Sequence, residues 1–243
     1  MHGWMDQKDW NDQIDGIHRI MLFHNREEAG RRLVERLIPY REQPGALILA
    51  LPRGGVAVGY QLSLGLHLPL DVFITRKLGA PDNPEYALGA VGETGVVYLN
   101  PEAMATCRLS QADITRLVRA QQEEIARRQA LYRQDRRFPV LTDRTVILVD
   151  DGIATGSTFF ASVQSIRSLN PRRLIGAIPV GPVETIREAR AQVDELVVLA
   201  TPDPFWAVGN HYVDFAQVDD RDVVEYLNLA EEAMRERAEP SSA

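Results

Sequence analysis

Residues 146–158 read Val146-Ile-Leu-Val-Asp150-Asp151-Gly-Ile-Ala-Thr155-Gly156-Ser157-Thr158. Four consecutive apolar residues of this kind fit a strand buried on both faces of a parallel sheet. Two acids follow at its carboxyl end, where ligands of such sheets bind. A short loop of small and hydroxyl residues then opens a helix from about Ser157. Backbone N–H groups at a helix N-terminus hold phosphate, and Thr155, Ser157 and Thr158 add side-chain donors. Gly156 lets the backbone come close to a ligand. Asp150 and Asp151 are acceptors suited to vicinal hydroxyls or to Mg2+. Side by side they repel, so a cation or several donors must meet them. A Walker-A loop is excluded because no Gly-Lys-Ser/Thr is present, and the glycine spacing of a dinucleotide fingerprint is absent.

Working outward, the same alternation of strand and helix recurs. Ala46–Leu51 is an apolar run bounded by Pro44-Gly45 and Pro52, and it reads as a second buried strand. Leu70–Thr75, Leu174–Val180 and Leu196–Ala200 read as further strands. Helices are expected from Arg26, with Ala29, Leu33 and Leu37 on one stripe, and over Val56–Leu66, Ser157–Leu169, Val183–Gln192 and Asp219–Arg237. Ser110 with Asp113 forms a capping box for a helix reaching about Arg133. The arginines of that helix alternate with Glu123, Glu124 and Asp135, the pattern of a solvated face. Arg76–Glu93, rich in Gly and Pro, reads as a long loop with short strands at Leu88–Val91 and Val96–Leu99, and long loops in compact domains are commonly functional. The expected fold class is α/β: a doubly wound, mostly parallel sheet flanked by helices, with a small hood. Residues 1–22 are expected to be an extension and 23–243 the domain, ending in a polar tail at Glu239–Ala243.

The 243 residues carry 34 acidic and 27 basic side chains, a net charge of −7. No general affinity for nucleic acid is expected, so any polyanion site must be local. The one cysteine, Cys107, cannot form an internal disulfide and reads as a packing residue. No apolar run approaches a membrane span and no signal-peptide core is present, so a soluble cytoplasmic protein is expected.

The stretch 146–158 resembles the ribosyl-diphosphate signature of type I phosphoribosyltransferases. The resemblance implies that Asp150 and Asp151 bind the ribose 2′- and 3′-hydroxyls, with Mg2+ as cofactor, and that Ala154, Thr155, Gly156, Ser157 and Thr158 bind the 5′-phosphate. Gly152 departs from the usual apolar residue. Pro52-Arg53-Gly54-Gly55 is similar to the family's pyrophosphate loop, which often carries a cis non-proline peptide. Arg76-Lys77-Leu78-Gly79 and the stretch to Glu93 resemble the mobile loop that closes over the leaving pyrophosphate, which makes Arg76 and Lys77 the candidate catalytic cations. The partners so implied are 5-phosphoribosyl 1-diphosphate and a nucleobase-like nitrogen acceptor, and a homodimer is compatible with the family. Ala154 stands where 6-oxopurine enzymes place an acid, which argues against hypoxanthine and guanine. Pro202–Tyr212, with Phe205 and Trp206, is the candidate hood, His211 reads as a structural hydrogen-bonding residue, and Glu93 is a candidate for contact with the base. Two other readings stay open: a non-catalytic ribosyl-diphosphate or nucleotide sensor, and a phosphoribosyl hydrolase.

Overall fold

The computed structural model describes residues 22–107, 109–134 and 136–238. The expectations for Met1–Ile20 and for the tail Glu239–Ala243 lie outside the described residues. Five strands form one parallel sheet: β1 (Ala46–Ala50), β2 (Leu70–Val72), β6 (Thr145–Val149), β7 (Arg173–Val180) and β8 (Glu195–Ala200), in the order β2-β1-β6-β7-β8. Every residue of β1 and β6 is buried, which is why both read as unbroken apolar runs rather than as alternating ones.

Side chains alternate across this sheet into two cores. Ile48 and Ala50 face helices α1 (Arg26–Leu37) and α2 (Gly54–Leu66), against Leu33, Leu37, Val58 and Leu62. Leu47, Leu49 and Leu51 face α5 (Ser157–Arg167), against Phe159, Phe160 and Ile166. Helix α6 (Val183–Gln192) joins β7 to β8, and α7 (Asp220–Ala238) adds Val223 and Leu227 to the first core. From β1 the chain order runs to β2 on one side, while β6, β7 and β8 extend on the other. The carboxyl ends of β1 and β6 therefore flank the reversal in strand order, the position where ligands of open parallel sheets bind.

The short strands expected at Leu88–Val91 and Val96–Leu99 are present, and the rest of the segment expected to be a long loop is more regular than the sequence suggested. β3 (Thr75–Ala80), β4 (Asn83–Gly92) and β5 (Val97–Leu99) make a three-stranded antiparallel sheet, with register shifts at Leu78–Gly79 and Gly79–Ala80. Glycines hid the pattern because they serve close backbone approach here: a Cβ on Gly89 would lie 2.0 Å from the Tyr98 carbonyl oxygen. The strand expected over Leu70–Thr75 accordingly divides, its first part in the parallel sheet and Thr75 already in the hairpin. The small sheet is wedged between α4 (Gln111–Arg133) and α5. Leu78 joins the core beside Ile125 of α4, and Thr75 Oγ1 lies 2.6 Å from Ser162 Oγ of α5.

The capping box at Ser110 and Asp113 is formed. Much of the arginine face of α4 is internally paired, Arg116 with Asp113 and Arg127 and Arg128 with Glu124. Arg133 departs from that face: it is buried and bonds Glu93, Asp71 and the Val72 carbonyl. A short helix α3 (Pro101–Thr106), unforeseen in the sequence, follows β5. Cys107 is half-buried against the first core, as a packing residue should be.

Candidate active site

The loop after β1 and the loop after β6 meet face to face. The peptide bond between Pro52 and Arg53 is cis, and Gly54 and Gly55 open α2 directly behind it. A Cβ on Gly55 would lie 2.9 Å from the Asp150 Cα, and one on Gly54 only 1.9 Å from Asp151 Oδ2. No residue larger than glycine fits at 54 without moving that carboxylate, so the two glycines serve the neighbouring acids as well as the backbone path.

Asp151 is held from several directions. Arg26 Nε donates to Asp151 Oδ2 at 2.7 Å, the Asp151 backbone N–H donates to Asp150 Oδ1 at 2.9 Å, and the Tyr212 hydroxyl donates to the Asp151 carbonyl at 2.6 Å. Burial raises the pKa of both acids. For Asp150 the adjacent Asp151 charge pushes it well above the usual carboxylate range, while Arg26 opposes the rise at Asp151.

The loop after β6 leads directly into α5. Asp150, Gly152–Phe159 and Val208 enclose a cavity of about 240 Å³. Gly156 sits at the head of α5 with φ +74°, and no side chain caps the helix there. The first-turn N–H groups thus lack the usual Ser, Thr or Asp acceptor, an opening suited to an anion. Ala154 and Thr155 are exposed, Gly156 and Ser157 are buried, and Thr185 Oγ1 donates to the Ala154 carbonyl at 2.8 Å. Gly152 also acquires a reason: a Cβ there would stand 2.6 Å from Val208 Cγ1, so a residue of the hood fills the space of the missing side chain.

The candidate cations are distributed differently from the sequence reading. Arg53 Nη1 lies 3.8 Å from Asp220 Oδ1, and Asp220 also accepts from the Tyr132 hydroxyl at 2.6 Å and from Arg127 at 3.3 Å. Arg76 donates through Nε to Gln121 Oε1 at 3.1 Å. Burial and the nearby Arg128 lower its pKa, Arg53 adds to the effect, and Glu124 opposes it. Because Arg76 and Lys77 are neighbours on a regular part of β3, they point to opposite faces of the hairpin. Arg76 faces α4, where it bonds Gln121. Arg76 and Lys77 both border a cavity of about 410 Å³ between the hairpin and α4, distinct from the phosphate-loop cavity. The stretch that the resemblance implied to be a mobile loop carries both residues on the strand β3 in this structure.

Glu93 is excluded from contact with a base by its own bonds. It accepts from Arg133, from Gln129 Nε2 at 2.8 Å and from the Ile74 N–H at 3.0 Å, and its side chain is only 4% exposed. The hood divides as well. Phe205 packs with Phe23, Val180 and Tyr212, whereas Trp206 is 74% exposed. His211 is buried, its ring 5.0 Å from that of Phe205, and its carbonyl accepts from the Leu22 and Phe23 N–H groups, in keeping with a structural role.

Sequence reasoning missed Arg26, Tyr212 and Asp220. Tyr212 lay inside the segment read as a hood, and Arg26 and Asp220 open helices. No spacing pattern connects residue 26 to residue 151; only the packed fold does.

Fold and site together define a doubly wound α/β protein in which a helix head without a side-chain cap and a half-buried acid pair lie at the topological switch point. The family described as phosphoribosyl transferase domain matches residues 15–214, and the chain belongs to it, in its type I branch. The crystal structure of TT1426 from Thermus thermophilus is similar, with 40% identity and a TM-score of 0.72 over 85% of this chain and 98% of that one. Two Mycobacterium tuberculosis proteins provisionally named phosphoribosyl transferases, from strains CDC 1551 and H37Rv, are 40% identical over 211 residues. That alignment covers 87% of this chain and 47% of theirs, so the chain spans about half the length of these curated relatives. Among the described residues no helix is long and apolar enough to cross a membrane.

Proposed function

We propose that this chain transfers the 5-phosphoribosyl group of 5-phosphoribosyl 1-diphosphate to a nucleobase-like nitrogen acceptor, releasing pyrophosphate. The observation that carries the reading is the convergence of three parts at one switch point: the Arg53–Gly55 loop, the Asp150–Asp151 pair and the uncapped head of α5. The 5′-phosphate would sit at Ala154–Thr158, taking N–H donors of the first helical turn and the hydroxyls of Thr155, Ser157 and Thr158. The ribose hydroxyls would meet the acids. Arg53, with the Gly54 and Gly55 backbone, would meet the diphosphate.

Breaking the C1′–oxygen bond places positive charge on the sugar and negative charge on the departing pyrophosphate, so cations near the leaving group lower the barrier. Arg53 and Arg76 lie within each other's field and would supply this from the loop before α2 and from β3. Lys77, on the opposite face of β3, would need a shift of the hairpin to join them.

The residues fit Mg2+ of the kind that binds through one or two carboxylates and substrate phosphates. Among the described residues no group of three or more Asp, Glu, His or Cys is arranged to hold a metal ion by itself, while Asp150 and Asp151 offer oxygen ligands opposed by a single guanidinium. When bound, the ion would neutralise the diphosphate.

The test is pyrophosphate release from 5-phosphoribosyl 1-diphosphate with Mg2+ and a panel of bases. Release that depends on one base supports the transferase. Release without any base makes the chain a hydrolase. Tight binding without release makes it a sensor.

A further inference from the structure

Arg26 belongs to no motif of the sequence, yet it is the most constrained cation at the site. It opens α1 directly after Asn25, whose side chain accepts from the Glu28 N–H at 2.9 Å. Its guanidinium is held on three sides. Nε donates to Asp151 Oδ2 at 2.7 Å, Nη1 donates to the Ala216 carbonyl at 2.7 Å, and the plane lies over the Phe215 ring, 3.7 Å from its centroid. The side chains of Arg26 and Asp151 are 11% and 14% exposed. A guanidinium so fixed has little freedom to swing toward another partner.

The neighbouring acid is placed differently. Asp150 lines the 240 Å³ cavity of the phosphate loop, and Asp151 does not. Asp151 lies against Gly54 and Arg26, while Tyr212, four residues before Ala216, holds its carbonyl. Two adjacent buried carboxylates repel, and one nearby cation relieves only the acid that it touches. We propose that Arg26 is a positioning residue that fixes the Asp151 carboxylate, so that the two acids are unequal and Asp150 is the one that meets ribosyl diphosphate from the cavity. This inference rests on the donor reading above. It also gives a role at the sugar to Tyr212, the last residue of the candidate hood, and to Phe215 and Ala216 just beyond it, since these hold Arg26 and Asp151 in place.

A double-mutant cycle on donor binding tests it. Affinity for 5-phosphoribosyl 1-diphosphate with Mg2+ is measured by calorimetry for wild type, Arg26→Met, Arg26→Lys, Asp151→Asn and the Arg26→Met/Asp151→Asn pair, with thermal midpoints alongside. Arg26→Met is expected to bind about tenfold or more weakly, because one charge-assisted hydrogen bond is lost. Arg26→Lys, which restores the charge without the fork, should bind at least about threefold tighter than Arg26→Met. The pair should bind no worse than Asp151→Asn alone, because Arg26 acts through Asp151. Multiplying losses, unchanged affinity in Arg26→Met, or a loss that only tracks the thermal midpoint and is not relieved by lysine would each overturn the proposal. Failure of the wild type to bind would instead sink the donor reading, and this inference with it.

Discussion

Replacing Gly54 with alanine is the sharpest small perturbation of this site. The position has no left-handed backbone requirement, so alanine is acceptable to the main chain. The added methyl, however, would lie 1.9 Å from Asp151 Oδ2 and 2.7 Å from its Cγ. The carboxylate must retreat by about 1.5 Å or more to reach ordinary contact distance. Such a move breaks its 2.7 Å bond to Arg26. A hydrogen bond to a charged group contributes about 1.5–3 kcal/mol, which corresponds to roughly ten- to 150-fold in an equilibrium constant. Gly54→Ala is therefore expected to weaken donor binding within that range, and to lower the thermal midpoint by about 4–8 °C for a loss near 2 kcal/mol in a domain of this size. Gly95 provides the control. Its φ is +86° with open space around the missing Cβ, so Gly95→Ala should cost about 1 kcal/mol of stability and leave donor affinity unchanged. Calorimetric titration and a thermal melt of each variant are the assays. Wild-type affinity in Gly54→Ala would refute the steric coupling of the two loops.

Other outcomes follow from the same geometry. Glu93→Gln leaves Arg133, whose side chain is 5% exposed, still paired with Asp71, so urea denaturation should show a loss of about 1.5–3 kcal/mol, that of a charged hydrogen bond; a loss under about 0.5 kcal/mol would contradict the buried cluster. Hydrogen bonds from Arg127 and Arg128 lower the pKa of Glu124 from 4.5 to about 2. A depressed acid contributes stability that is complete above its unfolded value and fades as pH falls through its folded one, so Glu124→Gln should flatten acid destabilisation between those two values. The comparison of wild-type and variant melts across that range checks it, and coincident pH profiles would contradict it. Gly152→Ala should lower the thermal midpoint both through backbone strain at φ +157° and by displacing Val208, so the losses of Gly152→Ala and Val208→Ala should fall short of additive in the double variant; fully additive losses would show that the two residues do not share the space.

The parallel sheet was legible because β1 and β6 are buried on both faces and their carboxyl ends are marked by chemistry that a plain strand–helix turn does not need. Asp150–Asp151, the hydroxyl loop and Arg53–Gly55 are each continuous in sequence, so each could be read there. The first part of the hairpin Thr75–Gly92 was not legible, because Gly79, Gly89 and Gly92 erase the alternation that marks a strand; Gly89 allows close backbone contact with Tyr98 across the sheet, and Gly92 makes room for the Ser165 side chain of α5. Glu93 looked like a functional acid because nothing near it in sequence pairs with it; its partner Arg133 is forty residues away, on a helix whose other arginines are largely surface residues. Arg26 shows the same limit for the site itself, since its role depends on Asp151, Phe215 and Ala216 meeting in space.

Calorimetric titration of 5-phosphoribosyl 1-diphosphate with Mg2+ into the wild type and into Asp150→Asn/Asp151→Asn tests the central claim most directly. The account predicts saturable binding to the wild type and loss of binding in the variant, with a cooperative thermal unfolding transition retained. Undiminished affinity in the variant would contradict it.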